Sequence, residues 1–271
     1  MKTTMRRINL LTSLLLGGAL LLPALSSAQL LDGFPPTSPK AETFMANAQP
    51  RVLRQLRAKG LQLGAPVFMR VFKLSKQLEV WVRKGGKFEL FKTYPICTYS
   101  GSVGPKLREG DLQSPEGFYT VSGGQLNPSS LYHLSFDIGY PNAVDRENKR
   151  TGGDIMVHGK CISQGCFAMG NLQIEEIYLL AYQAFLQGQK QFSVHIFPFR
   201  MTKENLERNK NSQWATFWEN LREGYEAFEQ ERQVPWIAAE NGKYAVRKGQ
   251  LQNSVVTINQ QVEIEDKFPR F

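Results

Sequence analysis

Residues 65–101 read APVFMRVFKLSKQLEVWVRKGGKFELFKTYPICTYSG. Apolar and polar positions alternate through this stretch, and β-branched and aromatic residues are frequent, which is the pattern of β-strands with one face buried. KGGK at 84–87 places two glycines where a two-residue hairpin turn needs positive φ at both central positions. The stretch therefore predicts strands near 67–73, 78–83 and 87–96. Further along, SPEGF supplies a turn at Pro115 to Gly117 and a strand near 117–121, while QFSVHIFPF (191–199) reads as a closing strand stopped by Pro198. Between them, 122–154 is rich in Gly, Pro, Asn and Ser, with only a short strand-like LYHLSF. Long loops inside compact domains are commonly functional. This one leads into DIMVHG, a short buried strand.

Helical periodicity flanks these strands. Residues 41–59 carry Phe44, Val52, Leu53 and Leu56 and end at Gly60. Asn171 is an expected N-cap for a helix whose apolar stripe runs through Ile174, Ile177, Tyr178, Ala181, Tyr182 and Phe185, with Gly188 as its stop. A last stripe, Trp214, Phe217, Trp218, Leu221, Tyr225 and Phe228, predicts a helix that packs back on the sheet. The tail from 233 is polar, with weak strand signals at 243–246 and 254–258. The fold class expected is mainly β with flanking helices.

The chain has 271 residues. Lys2, Arg6 and Arg7 precede an apolar run that ends in SSA, with Ala28 ahead of Gln29, the form of a cleaved secretory signal. The organisation expected is a signal peptide at 1–28, a Pro-rich linker and N-terminal helix at 29–64, a strand-dominated central domain at 65–200, and a helical extension with a polar tail at 201–271. No later run is long and apolar enough to span a bilayer, so the membrane is met only through the transient signal. The net charge of +9 falls to about +6 once three basic residues leave with the signal. Such a surface suits an anionic polymer or serves solubility alone. No basic-aromatic module for nucleic acid is visible.

Reactive residues are concentrated in IMVHGKCISQGCFAM (155–169), in a chain with only three histidines and three cysteines. A cysteine nucleophile acts as its thiolate, and a nearby imidazole can take the proton. Acyl transfer also needs N–H donors aimed at the developing oxyanion. His158 lies seven intervening residues before Cys166, and Gly165 leaves backbone N–H groups around Gly165 and Cys166 free to converge. Other readings stay open at this point. Cys97, Cys161, Cys166 and His158 could form a zinc site. A disulfide could join Cys97 to Cys161, leaving Cys166 free, or Cys161 to Cys166. An odd cysteine count in an exported chain leaves one thiol over.

The pair His158-Gly159, followed by Ser163-Gln164-Gly165-Cys166 and preceded by Ser114-Pro115-Glu116-Gly117-Phe118, resembles the YkuD-type L,D-transpeptidase catalytic domain, closest to its YafK-like branch of exported murein enzymes. The resemblance spans about residues 66–200. It implies a β-sandwich carrying the site at one edge, Cys166 as nucleophile and His158 as base. A carbonyl near Gly159 would orient the imidazole, and Gly165, Gly159 and Ser163 would shape the oxyanion turn. It implies peptidoglycan as substrate, attacked beside meso-diaminopimelate to give a thioester, with no cofactor and no metal, in the periplasm. An amine or water resolves the thioester, so transpeptidation and amide hydrolysis share one site; a murein-linked lipoprotein is one partner of the hydrolytic form. Gln164 stands where many members have histidine, so the base falls to His158. Phe167-Ala168 replaces a common apolar-Arg pair and removes a cation that could hold a substrate carboxylate.

Tyr140, His133 and Arg150 are expected substrate contacts from the loop before the catalytic strand. His195, on the closing strand, reads as a satisfied core histidine. The rival function is a non-catalytic cell-wall binding module with Cys166 in a disulfide.

Overall fold

The computed structural model describes residues 35–251. The signal peptide expected at 1–28, the start of the linker and the strand signal at 254–258 lie outside these described residues. The elements in order are α1 (Pro39–Ala58), β1 (Val67–Phe72), β2 (Gln77–Lys84), β3 (Lys87–Pro95), β4 (Gly117–Ser122), β5 (Leu126–Asn127), β6 (Ser135–Asp137), α2 (Ala143–Glu147), β7 (Met156–His158) and β8 (Phe167–Ala168). There follow α3 (Asn171–Leu186), β9 (Gln191–Phe197), α4 (Lys203–Arg208), α5 (Ala215–Glu231), β10 (Pro235–Glu240) and β11 (Lys243–Leu251).

The strands form a five-stranded sheet in the order β3-β2-β1-β9-β4, a four-stranded sheet in the order β5-β6-β7-β8, and a β10-β11 hairpin. The hairpin between β2 and β3 forms where the two glycines sit: Gly85 has φ 54° and Gly86 φ 88°, the backbone that a type I′ turn demands. In the centre of the large sheet, β1 pairs antiparallel with β2 and parallel with β9.

Every residue of β1 is buried because the sheet is covered on both faces. Val67, Met69 and Val71 join the main core with α1, α3 and the smaller sheet. Phe68 and Phe72 point the other way, toward Phe228 and toward Trp218, Leu221 and Tyr225 of α5. The amphipathic α5 thus packs back on the sheet, and the segment after Arg200 completes its second face. That segment is less helical than expected. Trp236, Ile237 and Ala239 pair with β11 in a hairpin, and Tyr244 reaches the core beside Phe118.

His195 lies in the sheet centre between Phe68 and Phe118, with ring centroids at 4.7 and 4.6 Å. Burial, with Arg70 nearby, pushes its pKa down to about 3 and keeps it neutral. It is a core histidine, but its Nδ1 has no hydrogen-bond partner among the described residues.

The expected N-cap of α3 needs correction. Gly170, with φ 80°, caps this helix, and Asn171 is its first residue. The Asn171 Oδ1 instead accepts the backbone N–H of Lys160 at 2.8 Å. A capping residue by composition therefore serves the loop that carries the reactive cysteine. No described helix is long and apolar enough to cross a membrane.

Candidate active site

The smaller sheet brings the histidine and the cysteine together. β7 and β8 run parallel, with Val157 opposite Phe167 and His158 opposite Ala168. Extending that register by one residue sets Met156 beside Cys166, and the Met156 N–H does meet Sγ at 3.4 Å. Side chains two apart on a strand share a face, so the imidazole of His158 and the thiol of Cys166 fall on the same side. Both line a cleft of about 670 Å³ with Ser135, Asp154, Tyr132 and Ser163.

The loop 159–166 between the two strands is held at several points. Cys97 and Cys161 are joined by a disulfide, with Cα atoms 5.5 Å apart. The Cys97 and Thr98 N–H groups both donate to Ala168 O, at 2.8 and 3.2 Å. Ser163 Oγ donates to Cys166 O at 2.7 Å and accepts the Gly165 N–H at 3.2 Å. Gly165 has φ +124°, a conformation that favours glycine, and a Cβ there would stand 3.2 Å from Ile155 Cδ1. Gly159 is needed for close approach instead, since a Cβ would sit 2.7 Å from both His133 Cβ and Tyr132 O.

His158 is buried, and its Nδ1 lies 2.6 Å from Gly159 O. In a neutral ring that places the proton on Nδ1 and leaves Nε2 as the basic nitrogen. Burial lowers the His158 pKa, partly opposed by the Gly159 hydrogen bond. Cys166 is free and half-buried. Its thiol donates toward Asp154 O at 3.6 Å. Burial raises the Cys166 pKa, the Met156 N–H lowers it, Asp137 and Asp154 raise it, and Lys106 lowers it. No hydrogen bond joins the thiol to the imidazole among the described residues. The resting site is therefore a neutral thiol beside a neutral imidazole.

That state has a measurable signature. Iodoacetamide alkylation of Cys166 should stay slow at neutral pH and climb only above the ordinary thiol range, because raising a thiol pKa moves thiolate formation to higher pH. A preformed thiolate–imidazolium pair would instead react at an almost constant rate from about pH 5 upward. Measuring the rate from about pH 5 to about pH 10 separates the two.

The other expected contacts lie elsewhere. His133 has φ 78°, which breaks strand alternation; its Nε2 lies 2.8 Å from Glu175 Oε1 and its ring stacks on Phe44 at 3.9 Å. Tyr140 is buried and donates to Lys106 O and Thr151 O at 3.3 and 3.2 Å. Arg150 pairs with buried Asp145 at 2.7 Å and lies over the Phe217 ring. All three brace loops behind the site, and none lines the cleft. The residues that do include several the sequence reading passed over. Tyr132, whose ring centroid is 4.8 Å from that of His158, is one. Asp154, and the exposed Leu131 and Ile162 (86% and 59%), are others. The turn chemistry around Gly165 also differs from expectation, since its N–H is taken by Ser163. Among the described residues nothing accepts the N–H of Cys166.

Two alternatives lose their basis. The disulfide removes Cys97 and Cys161 from any zinc set, and no group of three metal-ligating side chains occurs among the described residues. Cys166 is not in a disulfide.

A model of the L,D-transpeptidase catalytic domain, YkuD, matches residues 70–196. The chain is 40% identical over 244 residues to the "Putative L,D-transpeptidase YafK" of Escherichia coli strain K12, covering 90% of this chain and 92% of that protein. Its counterpart in Escherichia coli O157:H7 matches to the same degree. Among solved structures, the helical cell shape determining protein Pgp2 (K307A mutant) of Campylobacter jejuni aligns with TM-score 0.41 and 25% identity, covering 60% of this chain and 55% of that one. Bd1075 of Bdellovibrio bacteriovorus aligns with TM-score 0.36 and 22% identity, covering 65% of this chain and 78% of that one.

Proposed function

Because this chain belongs to the L,D-transpeptidase catalytic domain family, we propose that it is an exported cysteine acyl-transfer enzyme acting on peptidoglycan stem peptides through a Cys166 thioester. The observation that carries this reading is the shared cleft of Cys166 and His158, with the imidazole fixed through Nδ1 by Gly159 O. His158 Nε2 takes the Sγ proton as the thiolate attacks the amide carbonyl beside meso-diaminopimelate. The Cys166 N–H would receive the oxyanion. His158 then gives its proton to the leaving amine, and the thioester passes to an amine or to water. The enzyme would work in the periplasm after loss of residues 1–28.

A hydrolytic form that releases a murein-linked protein is favoured by one feature. Leu131, Tyr132 and Ile162 give the cleft an exposed apolar lip, which a polar stem peptide does not need and an attached polypeptide can cover. Incubating the mature protein with murein and analysing both partners by mass spectrometry tests the reading. The expected result is a stem-peptide adduct on the Cys166 peptide, removed by hydroxylamine, together with joined or shortened stems. An adduct-free Cys166 and unchanged murein would reject it. Joined stems mean transpeptidation, and released polypeptide means hydrolysis.

A further inference from the structure

Among the described residues that line the cleft, Asp154 is the only one with a carboxylate, and none is a lysine or an arginine. Its neighbours there are hydroxyls, amides, apolar side chains, the thiol and a neutral imidazole. The Asp154 side chain is exposed at the mouth, and its carboxylate enters no hydrogen bond or ion pair with a described residue. Yet it is fixed close to the chemistry, because its own backbone carbonyl is the acceptor facing Cys166 Sγ at 3.6 Å. Three other carboxylates of this region are held by basic side chains. Asp145 holds Arg150, Asp111 holds Lys106, and Glu175 holds His133. Lys160, on the loop between the two catalytic strands, lies over the Tyr132 ring.

We propose that Asp154 is a specificity-determining residue that receives a primary ammonium group of the substrate next to Cys166. The proposal rests on the acyl-transfer reading above and assigns a residue of this chain to the distal amine of the diamino acid which that reading names. A stem peptide carrying a free distal amino group on a diamino acid has the required chemistry.

Binding there also has a consequence for the nucleophile. The charges facing Cys166 are Asp154 and Asp137, which oppose the thiolate, and Lys106, which favours it; the Met156 N–H also favours it. Asp137 is occupied by the Gly139 N–H at 2.6 Å, and Lys106 by Asp111. Asp154 is the member of this set open to a ligand. A substrate ammonium would offset its field, so that the Sγ proton passes more readily to His158 Nε2 once substrate is in place.

The test has two arms. In the first, a stem peptide with a free distal amine and the same peptide acetylated at that amine are compared on the mature wild-type protein and on Asp154→Asn. Asparagine tolerates the left-handed φ of 54° at this position. Wild type should prefer the free amine by about two- to fivefold in kcat/KM, the worth of one exposed charge pair, and the variant should show a ratio near one. A purely structural role for Asp154 would slow both peptides equally. In the second arm, 1,5-diaminopentane is added at constant ionic strength and Cys166 alkylation is followed at pH near 7. It should accelerate alkylation several-fold in wild type and not in Asp154→Asn. Equal use of both peptides by wild type, or a preference that survives the substitution, overturns the proposal. If neither peptide is turned over, the acyl-transfer reading fails by itself. The alkylation arm then decides the ammonium site alone, with no acceleration counting against it.

Discussion

Cys166→Ala is expected to lower turnover of a stem-peptide substrate by about 10⁴-fold or more, leaving only what binding and oxyanion contacts provide. The thiol is the sole free cysteine of the described residues and sits in the cleft with His158, so no second nucleophile can substitute. His158→Gln should cost nearly as much. Burial raises the pKa of the resting thiol, and without Nε2 the cleft holds no imidazole to take its proton. Since the two residues act as one unit, the double variant should be no slower than either single variant, far from the product of the two losses. The thermal midpoint of Cys166→Ala should move little, because Cys166 is half-buried and its anchoring contacts are made by backbone. Single-turnover assays on the three variants check this. Activity above about 1% in Cys166→Ala, or losses that multiply in the double variant, would contradict a shared cysteine–histidine mechanism.

The parts of this architecture that were legible in the sequence are those set by local pattern. β1, β2 and β3 and the turn at Gly85 and Gly86 follow from alternation and positive φ, and α5 follows from its aromatic stripe. The site was legible where geometry is local too: His158 ends a strand, and Cys166 follows a glycine turn. What escaped depended on long-range contacts. Asn171 has the composition of a cap, but a loop eleven residues earlier claims its side chain. His133 sits in a strand-like run, yet its positive φ turns the ring toward Glu175 and away from the cleft. Tyr140 and Arg150 are near the catalytic strand in sequence, but their polar atoms satisfy buried partners. Asp154 carried a weak signal, an isolated acid after Gly152 and Gly153, and only its unpaired state in the fold gives it meaning. β10 was missed because a two-stranded ribbon packed on α5 needs little alternation of its own.

The second large effect lies behind the nucleophile, where Lys73 and Glu116 are fully buried and 3.1 Å apart. Lys73 Nζ also donates to Gly104 O and Ser114 O, both at 2.8 Å. Glu116 accepts from the Gly104 N–H at 2.6 Å and from Trp218 Nε1 at 2.8 Å. One ion pair thus ties the end of β1, the 104–116 loop and α5 together. Burial lowers the Lys73 pKa, and Glu116 opposes that shift. Lys73→Met leaves the carboxylate buried without its cation, which typically costs about 3–5 kcal/mol. For a body of this size that is a fall of roughly 6–20 °C in melting temperature. Adding Glu116→Gln should recover part of the loss, because a neutral amide keeps an acceptor for Trp218 without an unpaired buried charge. Chemical denaturation of the two single variants and the double variant gives the coupling; a loss below about 1 kcal/mol for Lys73→Met, or no recovery, would refute the assignment. The effect should also reach catalysis. Ser114, whose carbonyl Lys73 holds, donates through Oγ to Cys166 O at 3.4 Å. Freeing that segment removes one of the two hydroxyls that hold the nucleophile's backbone, and Ser163 remains as the other. Activity per folded molecule should therefore fall in Lys73→Met at temperatures well below its unfolding transition.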